Sequence, residues 1–198
     1  MTLRWGRYAA AYAVLGVAAA VIALIWRDGS PLVHPHPWLA LEPKVSHTYS
    51  LLVGVAFGAV VVLGTRALVS RFAWAKNLHR ELRPFASGIS TTGIVVLALL
   101  SAFGEELLFR GLLQPWLGLV LQAVLFGVVH YLPGSSRWVW AAWAMLVGLA
   151  LGAIFQLTGS LIGPLSAHAL INGVNLTYLK RHDPEPQRRL GGLLGQRG

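Results

Sequence analysis

The stretch at residues 94–114, IVVLALLSAFGEELLFRGLLQ, decides how the chain must fold. It is long enough to cross a bilayer, which takes about 20 mostly apolar residues. Yet it carries Glu105, Glu106 and Arg110. A charged side chain at the bilayer centre costs about 3 kcal/mol even on lenient insertion scales. These three side chains must therefore face the inside of a helix bundle. Working outward, five more apolar runs flank this one, at 8–26, 49–69, 117–132, 138–157 and 161–179. The expectation is an all-α, polytopic membrane helix bundle of about six transmembrane helices.

Composition agrees. Of 198 residues, 56% are hydrophobic and 12% are charged, against roughly 25% charged in soluble domains. This excludes an ordinary soluble fold and intrinsic disorder. Cysteine is absent, which removes disulfides, thiolate metal sites and a cysteine nucleophile. The net charge of +9 comes from basic residues placed between the apolar runs. That placement reads as membrane topology and attraction to lipid headgroups, not as a nucleic-acid surface.

Arg4, Arg7, Arg71, Lys76, Arg80, Arg83, Arg137, Lys180, Arg181, Arg188, Arg189 and Arg197 fall on one set of alternating segments, and Arg27 and Lys44 on the other. The asymmetry predicts that both termini are cytoplasmic. The first run is too long for a signal peptide and ends at Trp26-Arg27 without a small-residue cleavage site, so it reads as a retained helix. Tryptophans near the run ends read as interfacial anchors. Gly54/Gly58 and Gly148/Gly152 read as close helix contacts. Arg66, Trp143 and His34, His36 and His47 are assigned to snorkelling, packing and loop solvation. The chain divides into N-terminal helices with a cytoplasmic loop (1–93), a helical core (94–179) and a polar tail expected to be disordered (180–198).

The chemistry lies in the polar residues inside the runs: Glu105 and Glu106, His130, His168, and Asn172 one turn after His168. Adjacent glutamates point about 100° apart on a helix and should not share a role. Glu106 and Arg110 stand at i and i+4, the spacing of an ion pair, which leaves Glu105 to face a site. Phe126 stacks one turn before His130. Two chemistries fit. Glu105 can deprotonate a water while histidine and asparagine stabilise an oxyanion. Alternatively, Glu105, His130 and His168 can ligate a catalytic zinc. The metal-free version, with no cofactor required, is favoured because Asn172 supplies an amide donor. Two non-hydrolytic uses also exist: a scaffold held together by the polar cluster, and a proton or ion relay.

Three short motifs carry a family resemblance. Gly104-Glu105-Glu106-Leu107-Leu108-Phe109-Arg110-Gly111 resembles the Glu-Glu-x-x-x-Arg motif of the CAAX protease and bacteriocin-processing (Abi) family. Phe126-Gly127-Val128-Val129-His130 and His168-Ala169-Leu170-Ile171-Asn172 resemble its Phe-x-x-x-His and His-x-x-x-Asn motifs, in the family's order. The resemblance implies an intramembrane endopeptidase in which Glu105 activates water and His130, His168 and Asn172 complete the site. Its partners would be a protein or peptide substrate and the lipid bilayer. The arginine- and alanine-rich composition points to a bacterial inner membrane and a bacterial substrate rather than a prenylated one. A non-catalytic immunity protein is the alternative.

Overall fold

A computed structural model describes residues 5–27 and 29–184 of the chain. The expected tail lies largely outside the described residues. The elements are α1 (Trp5–Arg27), α2 (Pro43–Arg71), α3 (Ala73–Ser87), α4 (Thr91–Glu106), a π-helical turn (Leu107–Leu113), α5 (Gln114–Val129), α6 (Arg137–Thr158) and α7 (Ile162–Arg181). The all-helical bundle expected from the apolar runs is what forms. Trp5–Arg27, Pro43–Arg71, the segment Thr91–Val129 and Arg137–Thr158 are long and apolar enough to cross a membrane. Val14, Leu24, Val60, Leu63 and Val120 are exposed, the outward apolar surface that a lipid solvent requires.

α7 is less apolar than the others because it carries His168, Asn172, Asn175, Lys180 and Arg181. It packs against α2, α3, α4 and α6, and these neighbours shelter its polar side chains from lipid. Its approach to α2 is close. A Cβ on Gly54 would collide with the Gly163 backbone, and one on Gly58 would press on Ala167 at 3.2 Å. The close contact read from the first glycine pair is therefore real.

One apolar run behaves differently from its reading. The fourth expected span does not run full length. Gly118 takes φ 78° and ψ 170°, a backbone region nearly confined to glycine, and the chain doubles back there. Contacts on either side pair symmetrically about it. Glu105 faces His130, Arg110 lies over Phe126, and Gln114 and Gln122 meet at the same place opposite Gly152. From Gly118 to Val129 the returning helix rises about 17 Å at 1.5 Å per residue, roughly half of a bilayer core. It therefore ends beside the C-terminal end of α4, at Glu105.

The ends of the bundle sort cleanly. At one end the segment after α1 lies across the α6–α7 turn, with His34 N–H donating to Gly159 O at 3.0 Å and Trp38 N–H to Gln156 O at 2.7 Å. Trp26 stacks on Trp116 there, centroids 5.4 Å apart. His34 is not solvated as the sequence suggested: it is buried, and burial pushes its imidazole pKa down to about 4. His47 sits on α2 against Ser160 Oγ at 2.8 Å, again not in a solvated loop. At the opposite end are Trp5 beside Gly93, Lys180 donating to Ile89 O, and α3. The first and last described helices thus begin and finish at the same end.

The sequence reading left α3 as loop. It is an amphipathic helix that buries Ala75, His79 and Ala86. Glu81 on α3 reaches the turn before α6, where its carboxylate accepts from the Ser135 hydroxyl and from Ser136 N–H at 3.1 Å. These hydrogen bonds, the Ser135 hydroxyl first, hold the Glu81 carboxyl below the usual carboxylate range.

Candidate active site

α4 starts at Ser90, whose hydroxyl accepts from Gly93 N–H at 3.0 Å, the ordinary N-cap bond. It ends by widening into the π-helical turn directly after Glu105-Glu106. Such turns are rare and frequently mark functional sites. Here the turn carries Arg110 into the bundle with both Glu106 and Arg110 fully buried.

The expected Glu106–Arg110 pair forms, Nη1 to Oε1 at 2.8 Å. Arg110 does more than that. Its Nη2 donates to Gly148 O at 2.8 Å, and its guanidinium lies over the Phe126 ring at 4.5 Å. Gly148, read from sequence as a packing glycine, leaves that space open: a Cβ there would meet Phe126 at 2.8 Å and Arg110 Nη2 at 3.3 Å.

Glu106 has a second function that its spacing did not reveal. The same Oε1 accepts from His168 Nδ1 at 2.6 Å. A carboxylate only accepts, so the proton sits on Nδ1, and Nε2 of His168 is turned toward Glu105 Oε2 at 3.7 Å. His130 is held the same way from another helix. It caps the C-terminus of α5, donates from Nδ1 to Phe126 O at 2.7 Å, and presents Nε2 to Glu105 Oε2 at 3.6 Å.

Glu105 Oε2 is buried and has no hydrogen-bond partner. Two imidazole nitrogens thus converge on one orphaned carboxylate oxygen at distances too long for direct hydrogen bonds. The tightness at this point comes from α1. A Cβ on Gly104 would strike Tyr12 O at 2.5 Å, and the Tyr12 side chain lies close enough to Glu105 to interact with it electrostatically.

Asn172 lies on the rim. Its Nδ2 donates to Ser101 Oγ at 2.9 Å, and Ser101 stands one turn before Glu105 on α4. One amide hydrogen is thereby engaged and the second remains. The structure therefore brings Glu105, Glu106, Arg110, Phe126 and His168 into one buried cluster, with the half-buried His130 against it, and sets Asn172 beside it.

Sequence reasoning missed Tyr12 and Ser101. Ser101 was visible as i−4 to Glu105. Tyr12 carried no signal beyond being polar-tipped in an apolar run.

The donor set Glu105, His130 and His168 is of the right chemical kind for zinc, with each Nδ1 held by an acceptor as metal-bound histidines usually are. Among the described residues, no group of three or more His, Asp or Glu side chains forms a ready-made site for a metal ion.

Fold and site together define a polytopic helical membrane protein with a buried carboxylate–histidine centre. The three-motif resemblance is borne out: residues 87–174 match the family model described as Type II CAAX prenyl endopeptidase Rce1-like. That segment contains every residue of the cluster except Tyr12. A curated relative is the "Uncharacterized protein YpbD" of Bacillus subtilis (strain 168), 32% identical over 124 residues, which is 61% of this chain and 64% of that protein. No solved structure gives a significant match.

Proposed function

We infer that the protein is an intramembrane endopeptidase whose water is activated by Glu105. The observation that carries this reading is the orphaned Glu105 Oε2 faced by two imidazole Nε2 atoms at 3.6 and 3.7 Å. Gaps of that size around a buried unpartnered oxygen suit a water, which needs two or more polar partners. Such a water donates one hydrogen to Glu105 and the other to a histidine Nε2, leaving its lone pair for a peptide carbonyl.

Glu105 takes the proton as the water oxygen bonds to the carbonyl carbon. The free amide hydrogen of Asn172 is the donor offered to the oxyanion. The C–N bond then breaks, and Glu105 returns its proton to the departing amine, giving a carboxylic acid and an amine. Glu106 acts through His168: it fixes the Nδ1–H tautomer and the ring's aim, and Arg110 balances its charge.

The bond cleaved lies near the membrane-embedded or C-terminal part of a substrate protein, because the cluster sits among helices long and apolar enough to cross a membrane. The end bearing Arg71, Lys76, Arg80, Arg83, Arg137, Lys180 and Arg181 faces the cytoplasm of a bacterial cell, by the positive-inside rule. Mass spectrometry of membrane-protein termini from cells with and without the protein tests the activity. New C-termini that depend on the protein are expected; identical termini would leave a scaffold as the better reading. In the purified active protein, metal analysis should find no stoichiometric zinc. Zinc at one per chain, with activity lost on chelation and restored by zinc, would make Glu105 a ligand instead of the base.

A further inference from the structure

At the end of the bundle that carries the basic residues, α2 and α7 enclose a recess of about 280 Å³ lined by Arg66, Gly173, Val174, Thr177, Tyr178 and Arg181. It contains two guanidinium groups and no carboxylate. The Arg66 guanidinium stands over the Tyr178 ring at 5.4 Å, so it is aimed across the recess and not simply extended toward the interface as the sequence suggested. Thr177 spends its hydroxyl hydrogen on Gly173 O at 2.7 Å. The donors among the lining residues are therefore the two guanidinium groups and the Tyr178 phenol. Asp183, two residues past Arg181, is engaged by Arg83 at 3.4 Å. A concave site with donors from two arginines and no carboxylate in its lining suits an oxyanion.

Two anions come within reach of such a site: the carboxylate of a substrate chain and the phosphate of a lipid. Helix geometry separates them. His168 and Asn172 face α4, while Thr177 lies about 180° around α7 from His168 at 100° per residue. The recess therefore opens away from the catalytic cluster. Arg66 sits five residues before the end of α2, about 7.5 Å inside it. From Arg66 toward the opposite end, α2 exposes Leu63 (64%) and Val60 (66%), an apolar track where acyl chains would lie. We propose that the Arg66–Tyr178–Arg181 recess binds the phosphate of an anionic phospholipid, whose chains run along the Leu63 and Val60 face of α2. The lipid would bridge α2 to the helix that carries His168 and Asn172.

Native mass spectrometry of the detergent-solubilised full chain with added phosphatidylglycerol or phosphatidylcholine tests this. Phosphatidylglycerol should bind in preference, and Arg66→Ala/Arg181→Ala should weaken it about 30-fold. Arg66→Lys/Arg181→Lys should keep most of the affinity, as should Arg71→Ala/Lys76→Ala, which removes equal charge elsewhere at the same end. Equal binding of the two lipids would overturn the proposal, as would equal loss in the Arg71/Lys76 variant. Displacement of phosphatidylglycerol by equimolar inorganic phosphate would also overturn it and assign the recess to free phosphate. Glu105→Gln should bind lipid as the unaltered chain does, so this result stands or falls apart from the hydrolytic reading.

Discussion

Two polar clusters are buried in this bundle, and they are built on opposite principles. Around the α6–α7 turn, Ser50 Oγ donates to Ser160 O at 2.8 Å, accepts from Gly163 N–H at 3.0 Å and lies 2.9 Å from the Thr158 hydroxyl. Ser46 Oγ donates to Thr158 O at 2.6 Å. Each of these hydroxyls has a partner, and together they pin α2 to the turn. The Glu105 cluster is charged, and Glu105 Oε2, Glu106 Oε2 and Arg110 Nε are left without hydrogen-bond partners. Unpartnered buried polar atoms are costly, more so in a membrane. The satisfied cluster is a fastening; the unsatisfied one is the site to which the proposed chemistry is assigned. Each variant below acts on one side of that contrast.

The largest effect belongs to Arg110. Arg110→Ala leaves Glu106 buried without its counter-charge, and breaking a buried pair in this way costs about 3–5 kcal/mol. The protein should accumulate poorly, measured as yield and thermal stability in detergent. Normal stability would mean that the pair is not a brace. Asn172→Ala comes next. Loss of an oxyanion donor slows turnover about 100-fold, with stability close to that of the unaltered chain. A variant that keeps its rate would remove Asn172 from the mechanism.

On the fastened side, Ser50→Ala strips one hydroxyl of its role and orphans its partners, a cost of about 1–3 kcal/mol. It should lower thermal stability and leave the rate per folded molecule unchanged; a selective fall in rate would erase the distinction between the clusters. The smallest effect is at Glu81. Its carboxyl sits below the usual carboxylate range in the folded state through its hydrogen bonds to Ser135 and Ser136. Its contribution is therefore full above the ordinary carboxylate pKa and is lost as pH falls through the lowered folded-state value. Thermal stability of the unaltered chain should decline in acid slightly more than that of Glu81→Gln. Parallel curves would show that the contact contributes nothing.

What could be read from sequence followed from composition and from i, i+4 geometry. Apolar run length located α1, α2, α6 and α7 to within a few residues, except that α2 begins earlier, at Pro43. The Glu106–Arg110 pair followed from helical spacing alone. The short return helix was not legible, because residues 117–132 are apolar throughout and Gly118 is one glycine among 22. Its left-handed backbone, not its composition, halves the span, and only that turn sets His130 level with Glu105. α3 was hidden because its apolar residues alternate with Lys76, Arg80 and Arg83 and never form a run. The bond from Glu106 to His168 joins residues 62 apart in sequence, a contact that local spacing does not encode.

The most direct test of the central claim compares Glu105→Gln with the unaltered chain in the membrane-terminus assay, with thermal stability measured on the same preparations. Glutamine keeps the size of the side chain and removes the base. A general base typically contributes about 100- to 10,000-fold, so protein-dependent termini should fall at least about 100-fold while the variant melts no lower than the unaltered chain. Undiminished termini from a stably folded Glu105→Gln protein would contradict the assignment of Glu105 as the residue that activates water.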